Sequence, residues 1–143
     1  MLVFLDNCVF NRAFDDQSQT RIRKETEAIV AIRDRIVEGD VELVWSYVID
    51  IEVFRNPFLE RRLDAESWKE LSIVDIGPSV EIVSNAIRFQ GLGFREIDSL
   101  HIACAVASKS SYFISTDDGI LKKSGLIGDL VLAGPIEFAE IVT

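Results

Sequence analysis

Five carboxylates stand where short apolar runs give way to turns or helices. Asp6 ends LVFLD, Glu52 lies within SYVIDIE, Asp98 opens DSLHIACA, and Asp117 with Asp118 ends YFISTDD. In an α/β protein the carboxyl ends of parallel strands meet at one crevice. Carboxylates gathered there without cationic partners repel one another, and a hard divalent cation relieves that repulsion. The pattern predicts a Mg²⁺ or Mn²⁺ site.

Each residue also has a purely structural reading. Asp6 follows a strand, where an aspartate can point into a crevice or cap a turn. Glu52 falls in a helix that Ser46 is suited to cap, on the same side as Val48 and Ile49. An acid on the apolar side of a helix needs a partner, and metal is the simplest. Asp50, two residues earlier, faces nearly the opposite way. Asp98 and His101 share a helical face. The run HIACAVA is the most apolar helical stretch of the chain, so His101 is expected to pack and orient rather than catalyse, and Asp98 could serve as site residue or N-cap. Adjacent carboxylates usually diverge, so one of Asp117 and Asp118 should cap a short helix while the other reaches the metal. Asp117 is favoured as the site residue. Ser115 and Thr116 could hold a water or a phosphate oxygen.

The elements that must position these groups are legible in outline. Residues 2–5 suit a buried strand, 15–20 a polar loop, and 21–38 a helix with Gly39 as its stop. A strand over 41–45 leads into a helix over 47–54, which Asn56-Pro57 ends. A charged helix over 59–71, a short strand over 72–76 and a helix from Gly77-Pro78 to Gln90 follow. Gly91 and Gly93 break the pattern before a helix over 97–109. A strand over 112–115, a short helix over 118–123, a strand over 130–133 and a helix over 135–141 complete the chain. Alternating strands and helices without linker or repeat predict an α/β fold, a sandwich on a mostly parallel sheet.

With 143 residues, 48% of them hydrophobic, the chain suits one core and one domain over 1–143. No apolar run approaches the ~18 residues of a membrane span. The start MLVFLDN lacks a basic leader region and is read as a strand, so a cytoplasmic protein is expected. Cys8 and Cys104 have no CxxC spacing and are expected to be buried, reduced thiols. Net charge is 15 − 24 = −9, and without the five carboxylates it is −4. One or two divalent cations would offset most of that cluster, so acidity does not exclude a phosphodiester substrate. Other chemistries lack their residues. There is no GxGxxG, GxxxxGK[ST] or GxSxG, and one histidine cannot make HExxH. Cys8 stands where a dehalogenase-type phosphatase would need a second aspartate, and Asp117-Asp118 where a phosphate-accepting receiver would need a lysine.

In order and spacing, LDNCVFNR, the glutamate of SYVIDIEVFRNP, DSLHIACA and FISTDD resemble the motifs of the PIN domain. The resemblance spans essentially the whole chain, whose length suits the stand-alone VapC-like toxins. It implies a three-layer α/β/α sandwich with an acidic crevice that binds Mg²⁺ or Mn²⁺ and cuts single-stranded regions of RNA. It makes Asp6, Glu52, Asp98 and Asp117 the acidic quartet, with Asp118 in support. Water would hydrolyse the phosphodiester with no covalent intermediate on a side chain. A cognate antitoxin and a homodimer are implied as partners. Asn7 departs from the Ser or Thr that many members carry after the first aspartate, though an amide can still hydrogen-bond. The polar stretch NRAFDDQSQTRIR is longer than in the smallest toxins; Arg12, Arg21 and Arg23 could touch substrate, but solvation is the expectation for each. Phe54, Phe58 and Trp68 would suit an interface, with the core as the expected place for each. Two alternatives stand beside the ribonuclease: a catalytically silent PIN-like module that binds RNA or protein, and a DNA-directed metal-dependent nuclease.

Overall fold

The computed structural model describes residues 1–143. Five strands, β1 (Leu2–Leu5), β2 (Glu42–Ser46), β3 (Val74–Ile76), β4 (Tyr112–Ile114) and β5 (Val131–Ala133), form one sheet in the order β3-β2-β1-β4-β5. Every neighbouring pair is parallel, with Phe4 level with Val44 and Phe113. A parallel sheet covered on both faces needs apolar residues at consecutive positions. Val3, Phe4 and Leu5 are indeed all inaccessible, as are Leu43, Val44 and Trp45.

Between and after the strands lie α1 (Asn7–Asn11), α2 (Thr20–Glu38), α3 (Tyr47–Arg55), α4 (Leu59–Lys69), α5 (Val80–Gln90), α6 (Glu96–Ala107), α7 (Asp118–Leu121) and α8 (Pro135–Val142). The connections from β1 to β2 and from β3 to β4 run in opposite directions along the sheet. Right-handed crossovers therefore put α2 on one face and α5 with α6 on the other. The packing agrees, since α2 lies against α8 and α5 against α6. The result is a three-layer α/β/α sandwich. No helix is long and apolar enough to cross a membrane.

Several local expectations need correction. The stretch after β1 is not an open loop: Asp6 caps α1, a 3-10 turn covers Arg12–Phe14, and α2 already begins at Thr20. Two of its arginines, Arg12 and Arg21, are anchored rather than simply solvated, while Arg23 is exposed as expected. Glu25 on α2 is only 3% exposed and accepts from Arg12 Nε at 3.1 Å and Nη2 at 2.8 Å, with Arg21 Nε 3.4 Å away. Phe54 and Phe58 do not enter the core; they are 85% and 52% exposed, whereas Trp68 is buried. Both cysteines are free, but only Cys104 is fully buried. The strand expected over 72–76 is confined to Val74–Ile76.

Removing one partner of a buried ion pair strands the other. Arg12→Ala is expected to cost about 3 kcal/mol in urea denaturation, near the low end for such pairs because Arg21 still faces Glu25. A loss below about 1 kcal/mol would show that Arg21 alone satisfies Glu25.

Candidate active site

The chain builds β1, β2 and β3 outward on one side, then crosses back to place β4 on the other side of β1. The carboxyl ends of β1 and β4 thus flank the point where strand order reverses, the usual ligand crevice of such sheets. Asp6 follows β1 there, its N–H donating to the Ile114 carbonyl at 2.9 Å, and Ser115 to Asp117 follow β4.

Asp6 is both cap and crevice residue. Its Oδ1 accepts from the Asn7 N–H at 2.8 Å, and its Oδ2 accepts from the Ser115 hydroxyl at 2.8 Å and the Cys8 thiol at 3.4 Å. Burial pushes its pKa above the usual aspartate value; His101 and the Ser115 and Cys8 hydrogen bonds oppose the rise, and the Glu52 charge adds to it. Ser115 is wholly buried and also accepts from the Asp117 N–H at 3.0 Å, so one hydroxyl ties the ends of β1 and β4 together.

Glu52 reaches the same place from α3. Ser46 caps that helix, its hydroxyl accepting from the Ile49 N–H at 3.3 Å, and Val48 and Ile49 bury its inner face. Asp50 points away and binds the Trp45 indole N–H at 2.8 Å and Lys69 at 3.0 Å. Glu52 Oε2 accepts from the Asn7 amide at 3.3 Å, while Oε1 meets Nε2 of His101. His101 is 1% exposed, packs on the Phe4 ring, and has no partner at Nδ1. Burial opposes its protonation, but Glu52, Asp6 and Asp98 outweigh burial and raise its pKa.

Asp98 lies in the first turn of α6, whose N-cap is Arg95 rather than Asp98. Its pKa is pushed up to about 6, by burial first and then by the charges of Asp6 and Asp117, against weaker pulls from His101 and Arg95. Asp117 caps α7, Oδ1 accepting from the Gly119 N–H at 2.8 Å. Asp118 is exposed and turns outward to a two-pronged pair with Arg21, both contacts 2.9 Å, which holds its carboxyl below the usual range. Arg21 also donates to the Thr116 carbonyl at 3.0 Å, fixing the backbone beside Asp117. Thr116 itself is nearly buried, its N–H directed at Cys8 Sγ, 3.4 Å away.

Asp6 is thus within electrostatic reach of Glu52 and Asp98, and Asp98 of Asp117, while Asp118 is engaged elsewhere. No three acidic, histidine or cysteine side chains are gathered into a ready-made metal cage. The donor set nonetheless fits a hard divalent cation. It offers carboxylate oxygens at one crevice, and burial first, then neighbouring carboxylates, makes two of the carboxyls, Asp6 and Asp98, hold protons more tightly than usual, a cost that a cation would relieve. Sequence reasoning did not anticipate the Asn7–Glu52 bond, the Cys8 contacts with Asp6 and Ser115, or the Arg21–Asp118 clamp. The only local signal was that Asn7 and Cys8 directly follow Asp6.

The all-parallel sandwich with its crevice beside the central strand is a three-layer α/β/α fold. The chain matches one from the crystal structure of VapBC2 from Rickettsia felis bound to a DNA fragment from their promoter, with a TM-score of 0.56 and 14% identity, covering 94% of this chain and 98% of that one. At that identity the likeness is one of fold. No protein-family profile and no curated protein matches the sequence.

Proposed function

We propose that this protein is a Mg²⁺- or Mn²⁺-dependent endoribonuclease that hydrolyses phosphodiester bonds in RNA, acting in the cytoplasm as the toxin of a type II toxin–antitoxin pair. The observation that carries the reading is the set of four carboxylates at the strand-order reversal, with no lysine or arginine paired to Asp6, Glu52, Asp98 or Asp117. The PIN-like fold supports the reaction class, and the VapBC2 likeness supports an antitoxin as partner. A homodimer is part of the same proposal.

Asp6, Glu52, Asp98 and Asp117 would hold the metal, which supplies positive charge for the phosphoryl oxygens and activates water at neutral pH. Ser115 orients Asp6, and Asn7 with His101 orients Glu52. The apolar packing around His101 keeps bulk water from the base of the site, where charges interact more strongly. Asp117 is set by its cap on α7 and by Ser115.

The test is cleavage of total cellular RNA with Mg²⁺ or Mn²⁺, with EDTA as control and the new ends mapped, alongside single-stranded DNA. The proposal expects metal-dependent cuts in RNA that stop when EDTA removes the metal. Cuts confined to DNA would transfer the site to a DNA-directed nuclease. A folded protein that cuts neither and binds no Mn²⁺ would be the silent binding module.

A further inference from the structure

A cleft of about 500 Å³ adjoins the carboxylates, between the end of α3 and the start of α6. Asn7 and Glu52 line one part of it; Arg55, Phe58 and Arg61 line another, with Ile97 beside them. Six of its nine lining residues are polar or charged. Arg61 lies over the Phe58 ring at 4.8 Å and the Phe14 ring at 5.4 Å, so two aromatics hold the guanidinium in place. Neither Arg55 nor Arg61 has an acidic partner within ion-pair distance. Residues 55–62 (RNPFLERR) carry three arginines and one glutamate, a local 3 − 1 = +2 in a chain of net −9.

Unpaired cations and a half-exposed aromatic ring, in one cleft that runs into an acidic site, call for a polyanion with flat apolar faces. We propose that this cleft is the strand-binding track for single-stranded nucleic acid: one base stacks on Phe58, and Arg55 and Arg61 take the flanking phosphates. The idea takes its direction from the nuclease reading, but binding alone tests it. Stacking on Phe58 needs an unpaired base, because duplex bases already cover one another. An apolar peptide would leave both guanidiniums without counter-charge. Asn56, which bonds Asn11 across the cleft at 3.2 Å, fixes the turn that presents Phe58.

The experiment is fluorescence anisotropy of a labelled 12-nucleotide RNA of mixed sequence with Asp98→Asn protein in Mg²⁺ buffer, the substitution serving to prevent cleavage. A stacked base contributes roughly 1–3 kcal/mol, so Phe58→Ala should weaken binding about 5- to 150-fold. Phe58→Trp should restore it, which a merely structural role for Phe58 would not predict. Arg61→Gln and Arg55→Gln should each weaken binding and flatten its salt dependence; Arg55 is exposed, so its replacement leaves the fold intact. A duplex of the same sequence should bind at least about tenfold more weakly than the single strand. Unchanged affinity in Phe58→Ala and Arg55→Gln, equal binding of duplex, or no oligonucleotide binding would each overturn the track. RNA binding that depends on Phe58, in a protein that cuts nothing, would keep the track and remove the nuclease. Cleavage with Phe58-independent binding would do the reverse.

Discussion

Asp98→Asn is expected to abolish RNA cleavage while making the metal-free protein more stable at pH 7.5. Loss of a direct metal ligand should exceed the roughly 10–100-fold cost of changing a residue that only supports one. The stability gain follows from the raised pKa. Unfolded, Asp98 titrates near 3.8; folded, near 6, because burial and the charges of Asp6 and Asp117 disfavour its anion. The folded state therefore holds the proton more tightly. That contribution is complete below pH 4 and lost as pH rises through about 6. At pH 7.5 the wild-type carboxylate is ionised among its like charges, and asparagine removes the penalty. Two pKa units correspond to about 3 kcal/mol, but Asp98 is only half-buried, so about 1–2 kcal/mol remains after screening. In EDTA the melting temperature should rise by roughly 2–6 °C. Thermal melts in EDTA at pH 4 and pH 7.5 check this, since the gain should vanish at the lower pH. A variant that cleaves at the wild-type rate, or melts lower at pH 7.5, would remove Asp98 from the site.

The second large effect lies beneath the site. Trp45→Ala should destabilise the protein by about 3–5 kcal/mol, a large share of the roughly 5–15 kcal/mol that holds an ordinary domain together. Trp45 is inaccessible on β2, packs on Phe10 with ring centroids 5.2 Å apart, and donates its indole N–H to Asp50. The strand it anchors leads through Ser46 straight into α3, so the same change should loosen Glu52. Trp45→Phe separates the contributions. It keeps most of the packing, loses the bond to Asp50, and should cost about 1–2 kcal/mol. Urea denaturation measures both, and a Trp45→Ala loss no larger than that of Trp45→Phe would show that packing at this position matters little.

What could be read from the residues reflects which interactions are local. LVFL, YFIS and LVLA announced buried strands because each is a continuous apolar run, as a parallel sheet demands. Ser46 and Gly39 marked helix ends through their own chemistry. Helix α1 was missed because NCVFN spans little more than one turn, too short to show a period, and its cap is Asp6, whose type also suits a site. Phe54 and Phe58 are apolar by type yet lie outside the core, and hydropathy alone cannot separate those cases. The meeting of Asp6 and Asp117 followed from strand ends at the strand-order reversal, whereas Asp98 is delivered by the first turn of α6. The partners of Glu52 and Asp118 did not follow, because His101 is 49 residues from Glu52 and Arg21 is 97 from Asp118 in the chain. Such pairs depend on topology that residue types do not encode locally.

The central claim is that these carboxylates form a divalent-metal site, and a Mn²⁺ titration followed by electron paramagnetic resonance tests it most directly. Wild-type protein should deplete the free Mn²⁺ signal, and Mg²⁺ should compete. Asp6→Asn and Asp98→Asn should each weaken binding by at least about tenfold, with Asp118→Asn close to wild type because Arg21 already holds that side chain. Folded wild-type protein that leaves the Mn²⁺ signal unchanged, or binding indifferent to Asp6 and Asp98, would contradict the account.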